Sequence, residues 1–153
     1  MKSAAPQLSV VIPVYNEEGN LAVLDRELKN ALSGLLRSYE ILYVNDGSTD
    51  DSLGELKTLE HVTIIELNRN YGQAGALDAG FKAAVGEIVI SLDSDRQNDP
   101  ADIPALLQKL EEERLDVVAG WRKNRRDNGN IVFITIAARL LRRLFIGDIV
   151  HDS

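Results

Sequence analysis

Apolar residues in this chain gather into short unbroken runs, separated by stretches in which they recur every three or four positions. The runs are Leu8 to Val14, Tyr39 to Val44, His61 to Leu67, Ile88 to Leu92 and Leu115 to Ala119. Their length and their richness in valine and isoleucine predict strands buried on both faces. Pro13 cannot donate to a ladder, so the first strand is expected to end there. From Glu17 to Leu36 the pattern changes: Leu21, Leu24, Leu28, Leu32 and Leu35 mark one stripe of a helix, with Asn16 as its N-cap. Asn45 to Asp51 predicts a turn and a second helix start, capped by Ser48, Thr49 or Asp50. Ala74 to Ala84 is a helix of small residues, able to lie very close to a sheet. Pro100 to Pro104 opens another that runs to about Glu113, since proline is tolerated in a first turn. Strand and helix alternate with short joints, which predicts a single α/β domain built on a mostly parallel sheet with helices on both faces.

This alternation places the polar clusters. Ile88-Val89-Ile90-Ser91-Leu92 breaks into Asp93-Ser94-Asp95, and a buried strand can carry charge only at its end. In an open parallel sheet, the carboxyl edge is where ligands bind. Two carboxylates one residue apart repel each other unless a cation joins them, and Mg²⁺ or Mn²⁺ shared with substrate phosphates suits such oxygen donors. Pro13 to Glu17 and Asp46-Gly47-Ser48 end two other strands on the same edge. Tyr15 offers an aromatic face, and Glu17 or Asp46 can accept from a base N–H or a ribose hydroxyl. Gly47 permits close approach of backbone. There is no Gly-x-x-x-x-Gly-Lys loop and no Gly-x-Gly-x-x-Gly, so a bound diphosphate needs the metal and cations such as Arg69 or Arg122.

Composition narrows the chemistry. The 153 residues are 44% hydrophobic and 27% charged, enough for one domain with a core. There is no cysteine, and the two histidines, His61 and His151, lie far apart, which argues against a thiolate or zinc centre. The net charge of −7 is uneven: residues 1–120 carry 10 Lys+Arg against 21 Asp+Glu, and residues 121–153 carry 7 against 3. An acidic body argues against nucleic acid, while a basic tail suggests a local anionic partner. No run reaches membrane-spanning length and no signal peptide precedes the first strand, which points to the cytoplasm.

That tail reads as an amphipathic helix over 131–147, with Ile131, Ile134, Ala138, Leu141, Leu144 and Phe145 on one side and Arg139, Arg142 and Arg143 among them. Two readings stay open: a helix packed on the core with solvated arginines, or one lying in a membrane interface with arginines on lipid phosphate. The chain stops soon after without a cap, so it reads as the N-terminal part of a longer protein.

Four motifs in order then carry a resemblance. Val-Ile-Pro-Val-Tyr-Asn-Glu-Glu, Asn-Asp-Gly-Ser-Thr-Asp-Asp-Ser, Asn-Arg-Asn-Tyr-Gly-Gln and Leu-Asp-Ser-Asp-Arg-Gln-Asn-Asp-Pro-Ala-Asp-Ile-Pro resemble the family 2 glycosyltransferases. More narrowly, they look like the polyprenyl-phosphate group. The resemblance implies a Rossmann-like sheet of the glycosyltransferase A type. It implies a nucleotide-sugar donor (a UDP-sugar over a GDP-sugar), a polyprenyl-phosphate acceptor and work at the cytoplasmic side of a membrane. Self-association of the full-length protein stays open.

Carried residue by residue, the resemblance implies that Pro13, Tyr15, Asn16 and Glu17 contact the nucleoside, and that Asp46, with Gly47 and Ser48, meets the base. Asp93, Asp95 and Gln97 would surround Mg²⁺ or Mn²⁺ on the diphosphate, and Arg122 would stand near the phosphates. Arg69, Gln73 and Ser94 complete the donor-binding set. Asp152, in the terminal His-Asp-Ser, matches the start of an acceptor-side segment as a base or acceptor contact. Many relatives carry alanine and leucine at the positions of Ser94 and Arg96, and Arg96 is left without a role. The implied reaction is a single displacement with inversion. A lipid phosphate is already an anion, so it demands little of Asp152 as a base. Rival readings are a saccharide acceptor, a sugar-nucleotide pyrophosphorylase and a non-catalytic nucleotide-binding domain.

Overall fold

The computed structural model describes residues 5–120 and the strand 135–138. Its elements run β1 (Leu8–Val14), α1 (Leu21–Ser33), β2 (Tyr39–Asn45), α2 (Ser52–Leu56), β3 (Thr63–Glu66), α3 (Gln73–Ala83), β4 (Ile88–Ser91), a 3-10 turn at Pro100–Asp102, α4 (Ile103–Glu112), β5 (Val117–Ala119) and β6 (Thr135–Ala138). They form a six-stranded sheet of order β3-β2-β1-β4-β6-β5. β1 pairs in parallel with both β2 and β4, and β2 with β3, as the alternation predicts.

Successive strand residues point to opposite faces, and each face has its own cover. Leu8, Val10, Ile12 and Val14 of β1, with Ile41 and Tyr43 of β2, meet the Leu21, Leu24, Leu28 and Leu32 stripe of α1, Leu56 of α2, and Ile103, Leu107 and Leu110 of α4. Each of these leucines, fully buried, contributes about 1.5–3 kcal/mol. On the other face, Val11, Leu42 and Val44 meet α3 through Ala76. That helix does lie close to the sheet. A Cβ built on Gly80 would collide with Val11 Cγ1 and stand 3.0 Å from Val44 Cγ2.

Several sequence expectations are corrected. Thr135–Ala138, expected within a helix over 131–147, forms β6, which is antiparallel to both β4 and β5. The β-branched run through Ile131, Val132, Ile134, Thr135 and Ile136 suits a strand better than a helix. The rest of 131–147 lies outside the described residues, as do Trp121, Arg122, Arg139, Arg142, Arg143, His151 and Asp152. α1 starts at Leu21, after Asn20, so Asn16 is not its cap. β1 also continues one residue past Pro13. Asp46 N–H donates to Val14 O and Leu92 N–H to Val11 O, so alternate β1 residues address β2 and β4. The missing N–H of Pro13 therefore falls on the β4 side, where pairing has already ended at Val11 opposite Ser91.

Candidate active site

Register decides what meets at the carboxyl edge. Val14 stands opposite Asn45, and Val11 opposite Ser91, so the three polar segments leave the sheet side by side. Pro13, Val14, Tyr15, Glu17, Asp46, Asn70, Gly72, Gln73, Asp93, Ser94, Asp95 and Gln97 all line one cleft of about 840 Å³, with Ala74, Ala76, Leu77 and Ser91. Tyr15 is 45% exposed there, whereas Asp46 is 2% exposed. One oxygen of Asp46, Oδ1, accepts the Tyr71 N–H at 2.8 Å, which ties the end of β2 to the loop before α3.

Asn16 and Ser48, also expected as donor contacts, are not among the residues lining this cleft. Asn16 adopts φ +56°, accepts the Thr49 N–H on Oδ1 at 2.7 Å, and donates its own N–H to Ser48 Oγ at 3.1 Å. Glu17 N–H donates to Ser52 Oγ at 2.8 Å, and Glu18 N–H to Asp50 Oδ2 at 3.1 Å. Glu55 accepts from Gly19 N–H and Ala22 N–H at 2.6 and 2.7 Å, supplying the anion that the N-terminus of α1 lacks. The first two motifs are thus fastened to each other, and Asn16 and Ser48 are fasteners. Gly47, at φ +67°, makes room for the chain itself, since a Cβ there would lie 2.6 Å from Arg69 C and 2.7 Å from Asn70 N. Arg69 stacks on the Tyr71 ring, 4.8 Å from its centroid, and does not line the cleft.

Within the Asp-x-Asp segment each side chain has a different neighbour. Asp93 Oδ1 accepts from Gln73 Nε2 at 2.7 Å, and Asn98 Nδ2 approaches Oδ2 at 3.4 Å. Asp95 Oδ1 accepts the Gln97 N–H at 3.0 Å, closing a tight turn. Ser94 is buried and donates to Pro13 O at 2.9 Å, so its hydroxyl faces the protein. Arg96, at φ +59°, pairs with Glu27 Oε1 of α1 at 3.0 Å, which supplies the role it lacked. Among the described residues, no three His, Cys, Asp or Glu side chains come together as a metal cage. Two carboxylates at a strand end beside an open cleft fit a hard divalent ion that takes its other ligands from substrate phosphate and water. Sequence reasoning missed Asn70, Gly72 and Asn98. Only the turn chemistry of the third and fourth motifs could have hinted at them.

The sequence profile of Glycosyl transferase family 2 matches residues 9–147. The chain belongs to glycosyltransferase family 2. Among this family's curated members, it is 46% identical to an undecaprenyl-phosphate 4-deoxy-4-formamido-L-arabinose transferase of Klebsiella pneumoniae, over 90% of this chain and 42% of that protein. It is 39% identical to a dodecaprenyl-phosphate galacturonate synthase of Rhizobium johnstonii, over 79% of this chain and 37% of that one. The chain therefore spans about two-fifths of the length of these relatives. S. aureus TarS 1-349 in complex with UDP-GlcNAc superposes with a TM-score of 0.64 at 25% identity, over 82% of this chain and 37% of that one. The mannosyltransferase PcManGT from Pyrobaculum calidifontis, in complex with GDP-Man and Mn²⁺, superposes at 0.66 with 20% identity, over 95% of this chain and 48% of its own. The last likeness speaks for the fold alone: the glycosyltransferase A sheet expected from the motifs.

Proposed function

We propose that this family 2 domain holds the nucleotide-sugar donor, UDP-linked in preference to GDP-linked, for transfer of a sugar to a polyprenyl phosphate. The observation that carries the reading is the single cleft on which Tyr15, Glu17, Asp46, Asp93, Asp95 and Gln97 converge from three strand ends. Tyr15 and Asp46 are spaced along that edge to receive the nucleoside, with the diphosphate toward Asp93 and Asp95. Both curated relatives act on polyprenyl phosphates by name, and TarS was solved with UDP-GlcNAc, which supports the acceptor class and the uracil base.

The residues divide the work of one displacement. An oxygen of the lipid phosphate forms a bond to the anomeric carbon from the face opposite the leaving group. The bond from that carbon to the nucleoside diphosphate breaks, and the configuration inverts. Asp93, Asp95 and Gln97 would hold Mg²⁺ or Mn²⁺, which supplies neutralising charge to the departing diphosphate. The attacking oxygen carries no proton at neutral pH, so no side chain has to remove one. Arg122, Asp152 and the Arg139, Arg142 and Arg143 group belong to the proposed phosphate, acceptor and lipid contacts of the full-length protein. Replacing those last three arginines with glutamine is expected to weaken binding to anionic liposomes.

Calorimetry tests the donor half directly. Titration of UDP and GDP into this chain with and without Mn²⁺ should show metal-dependent binding, stronger for UDP, that is lost in Asp95→Asn. Equal affinity with and without metal, unchanged in that variant, would overturn the proposal.

A further inference from the structure

Gln73 occupies an unusual place for a donor contact. It is the first residue of α3, and although it lines the cleft, its side-chain amide is engaged by a carboxylate there: Nε2 donates to Asp93 Oδ1 at 2.7 Å. Its own position is fixed from three sides. Gly72, at φ +80°, turns the chain into the helix and donates its N–H to Asn70 Oδ1 at 2.9 Å. The preceding Tyr71 N–H is held by buried Asp46 at 2.8 Å. Further along, α3 is seated on β1 and β2 by the close approach at Gly80. A rigid helix start is thus aimed at one oxygen of the Asp-x-Asp pair.

We propose that Gln73 is a positioning residue: through its amide it sets the orientation of the Asp93 carboxylate, and so the affinity of the Asp93–Asp95 pair for a divalent cation, without itself touching the sugar nucleotide. This rests on the metal-assisted reading above. A carboxylate free to rotate loses that freedom when it takes a cation, and a donor already fixed on one oxygen removes part of that cost beforehand. The amide does so as a neutral donor. A lysine or arginine in its place would bring a positive charge that repels the incoming ion. Partners of this outer kind commonly change metal affinity about 10- to 100-fold when removed.

The test uses this chain and Mn²⁺ alone, read by the electron paramagnetic resonance of the free ion, with UDP titrations alongside in the absence of metal. Gln73→Met keeps the length and helix preference of the side chain but not the N–H. It should bind Mn²⁺ about 10- to 100-fold more weakly, with the melting temperature unchanged and metal-free UDP affinity affected far less than Mn²⁺ affinity. Unchanged Mn²⁺ affinity would overturn the inference. A drop in metal-free UDP affinity as large as the drop in Mn²⁺ affinity would overturn it as well, because it would make Gln73 chiefly a donor contact. Adding Gln73→Met to Asp93→Asn guards against a general loss of fold: no further change supports the inference, and an additive loss refutes it. If wild type and variants alike show no Mn²⁺ binding even with UDP present, the donor reading itself fails and this inference falls with it.

Discussion

Ser94 Oγ donates to Pro13 O across 2.9 Å of buried space, so the middle residue of the Asp-x-Asp segment is tied to the end of β1. The bond lies where β4 has left the ladder and Pro13 has no N–H to offer. It holds Asp93 and Asp95 at a fixed height above the sheet while leaving both on the cleft. Ser94→Ala removes the donor and leaves a buried carbonyl short of a partner. The expected loss is about 1–2 kcal/mol in urea unfolding, with Mn²⁺-dependent UDP affinity falling more than metal-free affinity in calorimetry.

Gly80 sets how closely α3 approaches β1 and β2. Gly80→Ala gains up to about 1 kcal/mol of helix preference. The added methyl meets Val11 and Val44, stiff side chains in a filled layer, at a cost of about 1–3 kcal/mol. Net destabilisation is therefore expected in denaturant titrations. An alanine variant more stable than wild type would show that the layer yields easily.

Glu55 serves the N-terminus of α1 from another helix, accepting from Gly19 N–H and Ala22 N–H. Glu55→Ala leaves both donors to water and removes a favourable charge from a helix start. A loss of about 1–2 kcal/mol is expected. Amide exchange should quicken first around Gly19 to Ala22, ahead of the β1 amides.

Acid should weaken the fold through two carboxylates in particular. Around Asp50, partial desolvation works against charge but is outweighed by hydrogen bonds from the Ser52 hydroxyl and the Ser52 and Glu18 N–H groups, so its pKa lies below the usual value. Glu111 is likewise lowered, first by the hydrogen bond from Arg37, against slight desolvation, and then by that residue's charge. With folded values depressed, the unfolded chain binds protons first. The stabilisation is thus complete above the ordinary carboxylate range and is lost as pH falls through the folded values. Urea midpoints should be flat near neutrality and fall below about pH 4, less steeply in the double variant Asp50→Asn, Glu111→Gln.

The sequence was most informative where one physical demand governed a stretch. The α1 leucine stripe, the small residues of α3 and the carboxyl-edge position of Asp93 and Asp95 all follow from burial and periodicity, and the structure has each of them. Competing demands were harder to read. Asn16 suits a helix cap, yet it serves a left-handed turn that grips Thr49, a partner 33 positions away. Gln73, expected among the donor contacts, lines the cleft, and its amide also reaches Asp93, a pairing that only the tertiary fold creates. Around Thr135–Ala138 the apolar spacing suggests a helix while the β-branched residues favour a strand, and the segment pairs along the side of β4 that β1 leaves vacant.

That vacant side has a consequence for synthesis. β4 bears the Asp-x-Asp segment, but one of its two neighbours is β6, which leaves the ribosome more than forty residues later. Until then, Ile88 to Ser91 presents an unsatisfied hydrophobic edge of the kind that recruits foreign strands. A nascent or shortened chain ending at Gly120 would carry every described residue that lines the cleft and still be prone to aggregate.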